Sequence, residues 1–403
     1  MTRHDKSRFE DADPVGLLAE EFIAQLRAGA DPSISNYCLQ YPPLAHRIRS
    51  VFPTLVSLDA YCSASCADDK GTDTTIDGCP QADAPERIGD FMVLREIGRG
   101  GMGVVYEAEQ LSLRRRVALK VISRHASRSP RALERFRHEA QTAGRLHHAN
   151  IVPVLGVGQE GDLHYFVMQY IEGVGLDRLI DYRQQDRSLP SGSTAGAQGD
   201  CYLAAEALRG TGRNANGDCW RNMARLGLQV AQALDYAHQL GIQHRDVKPS
   251  NLLVDKQCHV WLADFGLARD ATAEPLAEMG EIVGTLRYLA PERLSGESDE
   301  RSDVYGLGAT LYELLTGKPA FGGTDRTLLL RRILRADFRS PRTINARIPR
   351  DLETIVLRAM ARNLSERYAT AAAVAEDLQR FLIGRPILAR RCSWIARGWR
   401  WYR

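Results

Sequence analysis

Apolar and polar positions change period several times along the chain, and each change marks an element. Near the N-terminus Val15, Leu18, Phe22, Ile23 and Leu26 recur at helical spacing behind Asp13-Pro14, an N-cap followed by a first-turn proline. Gly29 closes that helix. Asp31-Pro32 opens a second with Ile34 and Tyr37, and a third runs from about Pro43 through Leu44, Ile48 and Val51 to Pro53. The three stripes predict a small helical bundle over residues 1–59. From 60 to 88 the apolar positions thin out, and Asp68, Asp69, Asp73 and Asp77 stand among Gly, Ser and Thr, as in a flexible acidic linker.

The period then shortens to two. Phe91-Met-Val-Leu-Arg-Glu-Ile97 alternates like a strand and runs into Gly98-Arg-Gly100-Gly-Met-Gly103, followed by Val104-Val-Tyr-Glu-Ala108. The β-branched and aromatic residues after Gly103 predict a second strand. A dinucleotide-binding turn would lead into a helix instead. Val117-Ala-Leu-Lys120-Val-Ile122 is an apolar strand with one charge. Ser129-Pro130 starts a helix whose inner face holds Leu133, Phe136 and Ala140, and Tyr165-Phe-Val-Met168 opens an apolar strand that ends at Gly173.

Residues 184–218 have no period and are rich in Gly, Ser, Ala and Asn, which predicts an inserted surface loop with a helical turn at Leu203–Leu208. A helix over about Trp220–Leu240 turns Leu226, Val230 and Leu234 to the core and stops at Gly241. Asp303–Gly317 is mostly apolar around its circumference, the mark of a buried helix. Helices continue to about Leu382. From Gly384 the chain mixes Arg385, Arg390, Arg391, Arg397, Arg400 and Arg403 with Trp394, Trp399, Trp401 and Tyr402, without an acidic residue. Such a tail suits either peripheral contact with an anionic membrane surface or a solvated basic end.

Composition adds limits. The 403 residues leave room for two or three domains, and 44% apolar residues can bury a sizeable core. A net charge of +3 makes no case for nucleic acid. The eight cysteines form no paired framework; Cys62, Cys66 and Cys79 lie in the linker, and CSASC lacks the CxxC spacing of a zinc pair. No apolar signal segment and no run of 18 apolar residues is present, so the expectation is a cytoplasmic protein that can associate with a membrane through its tail. Among the 53 basic residues, few are lysine, and two of those few, Lys120 and Lys248, fall inside motifs.

The chemistry concentrates in residues 243–266, QHRDVKPSNLLVDKQCHVWLADFG. Asp246 can accept the proton of an attacking hydroxyl, and Lys248 can neutralise a transferring phosphate. Asn251 and Asp264 offer oxygens to a hard cation such as Mg²⁺. His244-Arg245-Asp246, Lys248, Asn251 and Asp264-Phe265-Gly266 at this spacing resemble the catalytic and metal loops of protein kinases, specifically the bacterial Hanks-type serine/threonine kinases.

That resemblance covers about residues 91–382. It implies an α+β, two-lobed protein kinase fold with a small β-rich N-lobe and a larger helical C-lobe, preceded by the small helical N-terminal segment. The implied division is 1–59 helical segment, 60–88 linker, 89–382 kinase domain with the 184–218 loop, and 383–403 basic, aromatic tail. It further implies ATP and Mg²⁺ as cofactors, protein substrates with Ser or Thr acceptors, autophosphorylation, and a place in bacterial signalling. Gly98, Gly100 and Gly103, flanked by Ile97 and Val105, would cover the nucleotide. Lys120, paired with Glu139 (or with Glu134 as a substitute), would orient its phosphates. Met168 would be the gatekeeper beside the adenine, with backbone groups of Gln169–Ile171 binding the base.

By the same resemblance Asn251 and Asp264 would hold Mg²⁺, and Asp246 and Lys248 would act on the transferring group. Thr285 would help hold the substrate segment beside Asp246. Asp303 would anchor the catalytic loop, and Arg367 would pair with Glu292. Arg245 matches an arginine that meets a phosphorylated loop residue. The middle of this loop, PLAEMGEIVG, has no hydroxyl, so Glu278 or Glu281 would supply the negative charge, with Thr272 the one early phosphate acceptor. A kinase-like binding scaffold without turnover is the competing class, and an interaction module centred on the N-terminal helices is a third.

Overall fold

In a computed structural model of the chain, the described residues are 86–100, 103–122, 130–184, 215–265, 283–323 and 325–389, with 32–45 and Leu18, Glu21, Phe22, Gln25, Ile48 and Phe52 near the N-terminus. Several expectations fall outside them: residues 60–85 of the linker with Cys62, Cys66 and Cys79, the loop over 185–214, the segment with Thr272, Glu278 and Glu281, and the tail from 390.

In the N-terminal segment helix α1 spans Ile34–Gln40. Its N-cap is Ser33, two residues beyond the predicted Asp31 start. Leu18, Phe22, Tyr37, Cys38, Ile48 and Phe52 form a core of their own. Phe22 meets Tyr37 edge-on at 5.3 Å and Phe52 at 4.7 Å, a contact geometry that aromatic rings favour.

The small lobe is a six-stranded antiparallel sheet. Its strands are β1 (Arg87–Ile88), β2 (Phe91–Gly100), β3 (Gly103–Gln110), β4 (Arg115–Ile122), β5 (Val154–Glu160) and β6 (Leu163–Gln169), in the order β1-β2-β3-β4-β6-β5. β1 lies inside the predicted linker, yet Ile88 is fully buried. Two residues are too short to show a period, so pairing with Phe91 and Met92 defines this strand. Side-chain alternation divides the sheet. Val117, Leu119 and Val121 join an outer core with Tyr106, Tyr165 and Val167. Ala118 and Ile122 face an inner core with Phe136, Phe166 and Met168. Lys120 shares the parity of Ala118 and Ile122, so it points inward. Helix α2 (Pro130–Ala143) covers that side, with Phe136, Glu139, Ala140 and Ala143 along one buried stripe.

A second sheet of β7 (Gly173–Gly175), β8 (Leu252–Asp255) and β9 (Val260–Leu262) opens the large lobe. Its helices are α3 (Leu176–Gln184), α4 (Ala215–Gln239), α5 (Glu300–Thr316), α6 (Arg326–Arg335), α7 (Arg350–Ala359) and α8 (Ala371–Leu382). α4 begins at Ala215, within the predicted loop over 184–218, because its first turn precedes the apolar stripe that betrays the helix. Leu226, Val230 and Leu234 are buried as expected. α5 is buried on every side and is bounded by an Asp299 N-cap and a left-handed Gly317. The large core also takes in Ile387 and Ala389, beyond the predicted boundary at 382. Asp377, itself buried, accepts the amides of Leu388 at 2.5 Å and Ala389 at 2.9 Å and the hydroxyl of Tyr368 at 2.8 Å. No helix among the described residues is long and apolar enough to cross a membrane.

Candidate active site

α4 ends at Gly241, whose φ of 72° admits the turn into the next loop. Asp303, from the first turn of α5, reaches under that loop. It accepts the amides of His244 at 2.8 Å and Arg245 at 2.7 Å, and its second partner on Oδ2 is His238 at 2.8 Å. Arg245 is held in a left-handed backbone (φ 66°), as is Asp264 (φ 53°). Such conformations cost energy away from glycine and persist where neighbours over-determine them. His244 donates from Nε2 to the Ala263 carbonyl at 3.0 Å and accepts the Asp246 amide on Nδ1 at 3.2 Å. Burial lowers its pKa, so the ring stays neutral and can do both. It also packs against Phe265, the ring centres 4.7 Å apart and the planes tilted by 53°.

These contacts deliver Asp246 to the cleft. Lys248 Nζ lies 2.8 Å from Asp246 Oδ2 and donates to Thr285 Oγ1 at 3.0 Å. Asn251 donates its amide to the Asp246 carbonyl at 2.8 Å and to Asp246 Oδ2 at 3.1 Å, which turns its side-chain oxygen the other way. The Ala263 amide donates to the Asn251 carbonyl at 2.9 Å, tying the two loops together one residue from Asp264.

Across the cleft, Lys120 Nζ makes two 2.8 Å contacts, with Glu139 Oε1 and with Asp264 Oδ1. Burial alone would discharge the amine, but the Asp264 and Glu139 carboxylates outweigh it and hold the Lys120 pKa above its ordinary value. Asp264 is opposed by burial and is still held low, chiefly by Lys120. Glu139, 3% exposed, is pushed up by burial against the pull of the same lysine. Glu134 is exposed and takes no part.

Ala118, Met168 and Ile171 belong to the inner core, and Ile97, Val105 and Leu253 pack against it half-buried. Ala118 and Leu253 join this apolar group without a signal in the sequence, because each sits in an apolar strand. The hinge past β6 is fixed by the Gln169 amide on the Pro153 carbonyl (3.0 Å) and the Gly173 amide on the Ile171 carbonyl (2.9 Å). A Cβ on Gly98 would meet only Val105, at 3.8 Å, and one on Gly100 nothing within 4 Å. Gly103 has a different reason to be glycine: a Cβ there would lie 2.0 Å from the Val121 carbonyl, so close strand packing requires it.

The donor set fits Mg²⁺. Asn251 supplies an amide oxygen and Asp264 a carboxylate, both hard ligands, and no group of three or more His, Cys, Asp or Glu occurs among the described residues as an all-protein cage. Mg²⁺ typically takes one or two protein oxygens and completes its shell with phosphate and water. The structural anchor of the large lobe is also in place: Arg367 forms a two-pronged pair with Glu292 at 2.7 and 3.0 Å.

Residues 91–378 match the protein kinase domain family. The chain is 33% identical over 292 residues to the serine/threonine-protein kinase PrkC of Bacillus subtilis, covering 72% of this chain and 40% of that protein. It is 36% identical over 304 residues to the serine/threonine-protein kinase PknB of Mycolicibacterium smegmatis, covering 73% and 44%. It therefore spans less than half the length of these relatives. Among solved structures, the PknI kinase domain of Mycobacterium tuberculosis superposes with a TM-score of 0.50 at 26% identity, over 72% of this chain and 95% of that one. The order of motifs, the two-lobed fold and these matches agree: the chain belongs to the protein kinase family, among the bacterial Hanks-type serine/threonine kinases.

Proposed function

We propose that this protein transfers the γ-phosphoryl group of ATP to Ser or Thr hydroxyls of protein substrates, itself included. The observation that carries the reading is Lys120, bridged at 2.8 Å to both Glu139 and Asp264 across the two lobes. This places a buried cation beside a carboxylate suited to a metal, as phosphate positioning requires. The apolar group of Ala118, Met168 and Leu253 receives the adenine, and the hinge backbone at Gln169–Ile171 binds its edge. Gly98 and Gly100 admit the triphosphate without side-chain clash. Asn251 and Asp264 hold Mg²⁺, which supplies charge neutralisation at the phosphates. Asp246 accepts the acceptor hydroxyl and its proton. Lys248, shared between Asp246 and Thr285, draws the transferring group and the substrate segment to one point.

The test is transfer of labelled γ-phosphate with Mg²⁺, to the protein and to a generic acceptor, beside Asp264→Asn and Asp246→Asn. Both variants are expected to lose at least ~10²-fold in rate, the usual range for a positioned acid–base group. Label on Ser or Thr that persists undiminished in both would overturn the assignment. Folded wild type that binds ATP and transfers nothing would mark a binding scaffold instead.

A further inference from the structure

Tyr170 lies between the two hinge residues assigned to the adenine, and its side chain belongs to a cluster with Arg95 and Arg116. Arg95 donates to its hydroxyl at 3.1 Å. The Arg116 guanidinium carbon sits 4.5 Å from the centre of its ring, a cation–π contact. Arg116 also reaches Glu172, two residues further along the hinge, at 3.3 Å. Both arginines meet at one carboxylate, Glu107, with Arg95 at 2.7 Å and Arg116 in direct contact. Arg95 and Glu107 are cross-strand partners on β2 and β3; on β4 Glu107 lies opposite Ala118, and Arg116 sits two positions away on the same face. Arg95 and Arg116, joined through Glu107, thus hold the hinge at Tyr170 from the same face of the sheet that carries Ala118.

Exposed arginine pairs usually contribute little to stability. Here the shared carboxylate is 2% exposed. Arg95 and Arg116 are half exposed, at 53% and 47%, so only the carboxylate is taken out of water, and the best-attested use of such a buried charge is to select one geometry over others. The geometry selected is the height of the hinge backbone relative to β4, which carries Ala118 on the same face as Arg116. We infer that Arg95, Glu107 and Arg116 act through Tyr170 as positioning residues for the adenine site, setting affinity for the base without touching the nucleotide. This deepens the proposed function and rests on it.

The prediction separates base from phosphate. In the full-length protein, Tyr170→Ala and Arg116→Ala are expected to weaken adenosine binding about 10-fold and to raise KM for ATP by a similar factor. The kcat should stay within about 2-fold, and binding of Mg²⁺-tripolyphosphate should be unchanged. Tyr170→Phe keeps the ring under Arg116 and should recover most of the affinity. Arg116→Lys should not, because an ammonium cannot lie flat on the ring while reaching two carboxylates. Calorimetric titration with adenosine and with tripolyphosphate, beside a thermal melt, reads all of these. Unchanged adenosine affinity in folded variants would overturn the inference, as would equal loss of both ligands with a lowered melt, which marks a purely structural cluster. Wild type that transfers phosphate and binds adenosine, with variants indistinguishable from it, defeats this inference alone. Wild type that binds no adenosine defeats the proposed function as well.

Discussion

Asp303 shows what one buried carboxylate can settle. Its two oxygens take the backbone amides of His244 and Arg245 and the ring of His238, so the catalytic loop follows the position of α5. Burial pushes its pKa up, yet the His238 hydrogen bond and the neighbouring imidazoles and amides prevail, and the carboxyl is held below its ordinary value. A carboxylate with a folded pKa below the unfolded one contributes fully above pH ~4 and loses that contribution as pH falls through the folded value. Stability should therefore fall on acidification below pH ~4, with Asp303 among the groups responsible. Asp303→Asn keeps the shape but gives up one acceptor and the charge. At pH 7 it should cost about 3 kcal/mol and should flatten the acid limb of the stability curve. Urea unfolding at pH 7 and pH 3 measures both. An unchanged acid limb in the variant would count against the role.

At the scale of elements, α5 is a hub whose composition is set by what touches it. A Cβ on Gly306 would come to 3.0 Å from Val247, both side chain and carbonyl, within the catalytic loop. A Cβ on Gly308 would meet Ala359 at 2.8 Å and Met360 at 2.9 Å, at the end of α7. The same change should then have different effects at the two positions. Gly308→Ala should lower stability by about 1–3 kcal/mol through overpacking, with activity following the folded fraction. Gly306→Ala should disturb the residue between Asp246 and Lys248, so kcat falls about 10-fold while better helix propensity offsets much of the stability loss. Melting curves and kcat for the pair distinguish the two. From the sequence, both glycines read only as breaks in an apolar helix.

For the whole molecule, the boundaries differ from those that composition marks. Val93 donates its amide to Glu86, Ile88 is buried under the small-lobe sheet, and Ile387 and Ala389 are buried in the large lobe. A fragment of residues 86–389 should melt within ~2 °C of the full chain. One of 89–382 loses these apolar contacts, at roughly 1.5–3 kcal/mol for each large side chain. It should melt about 5–10 °C lower. Equal melting of the two fragments would show that β1 and residues 383–389 are ornaments on the fold.

The sequence alone marked most of the small-lobe strands and the main helices and, through resemblance, the expectation that Asp246, Lys248, Asn251 and Asp264 form one site, while β1, β5 and β7 carried no signal in it. This information is local: a period repeats within a few residues, and the catalytic and metal motifs fall within one 24-residue stretch. The Lys120–Glu139 pairing was legible through family resemblance. Tertiary structure decided what depends on distant neighbours. Lys120 meets Asp264 across 144 positions of sequence. Ala118 and Leu253 came together with Met168 and Ile171, Gly103 became the point where one strand presses on another, and Arg95, Glu107 and Arg116 became a grip on Tyr170. An apolar strand residue looks the same whether it meets core or ligand, and an exposed arginine looks the same whether it meets water or a hinge, because burial and partnership are properties of the folded surface that surrounds a residue.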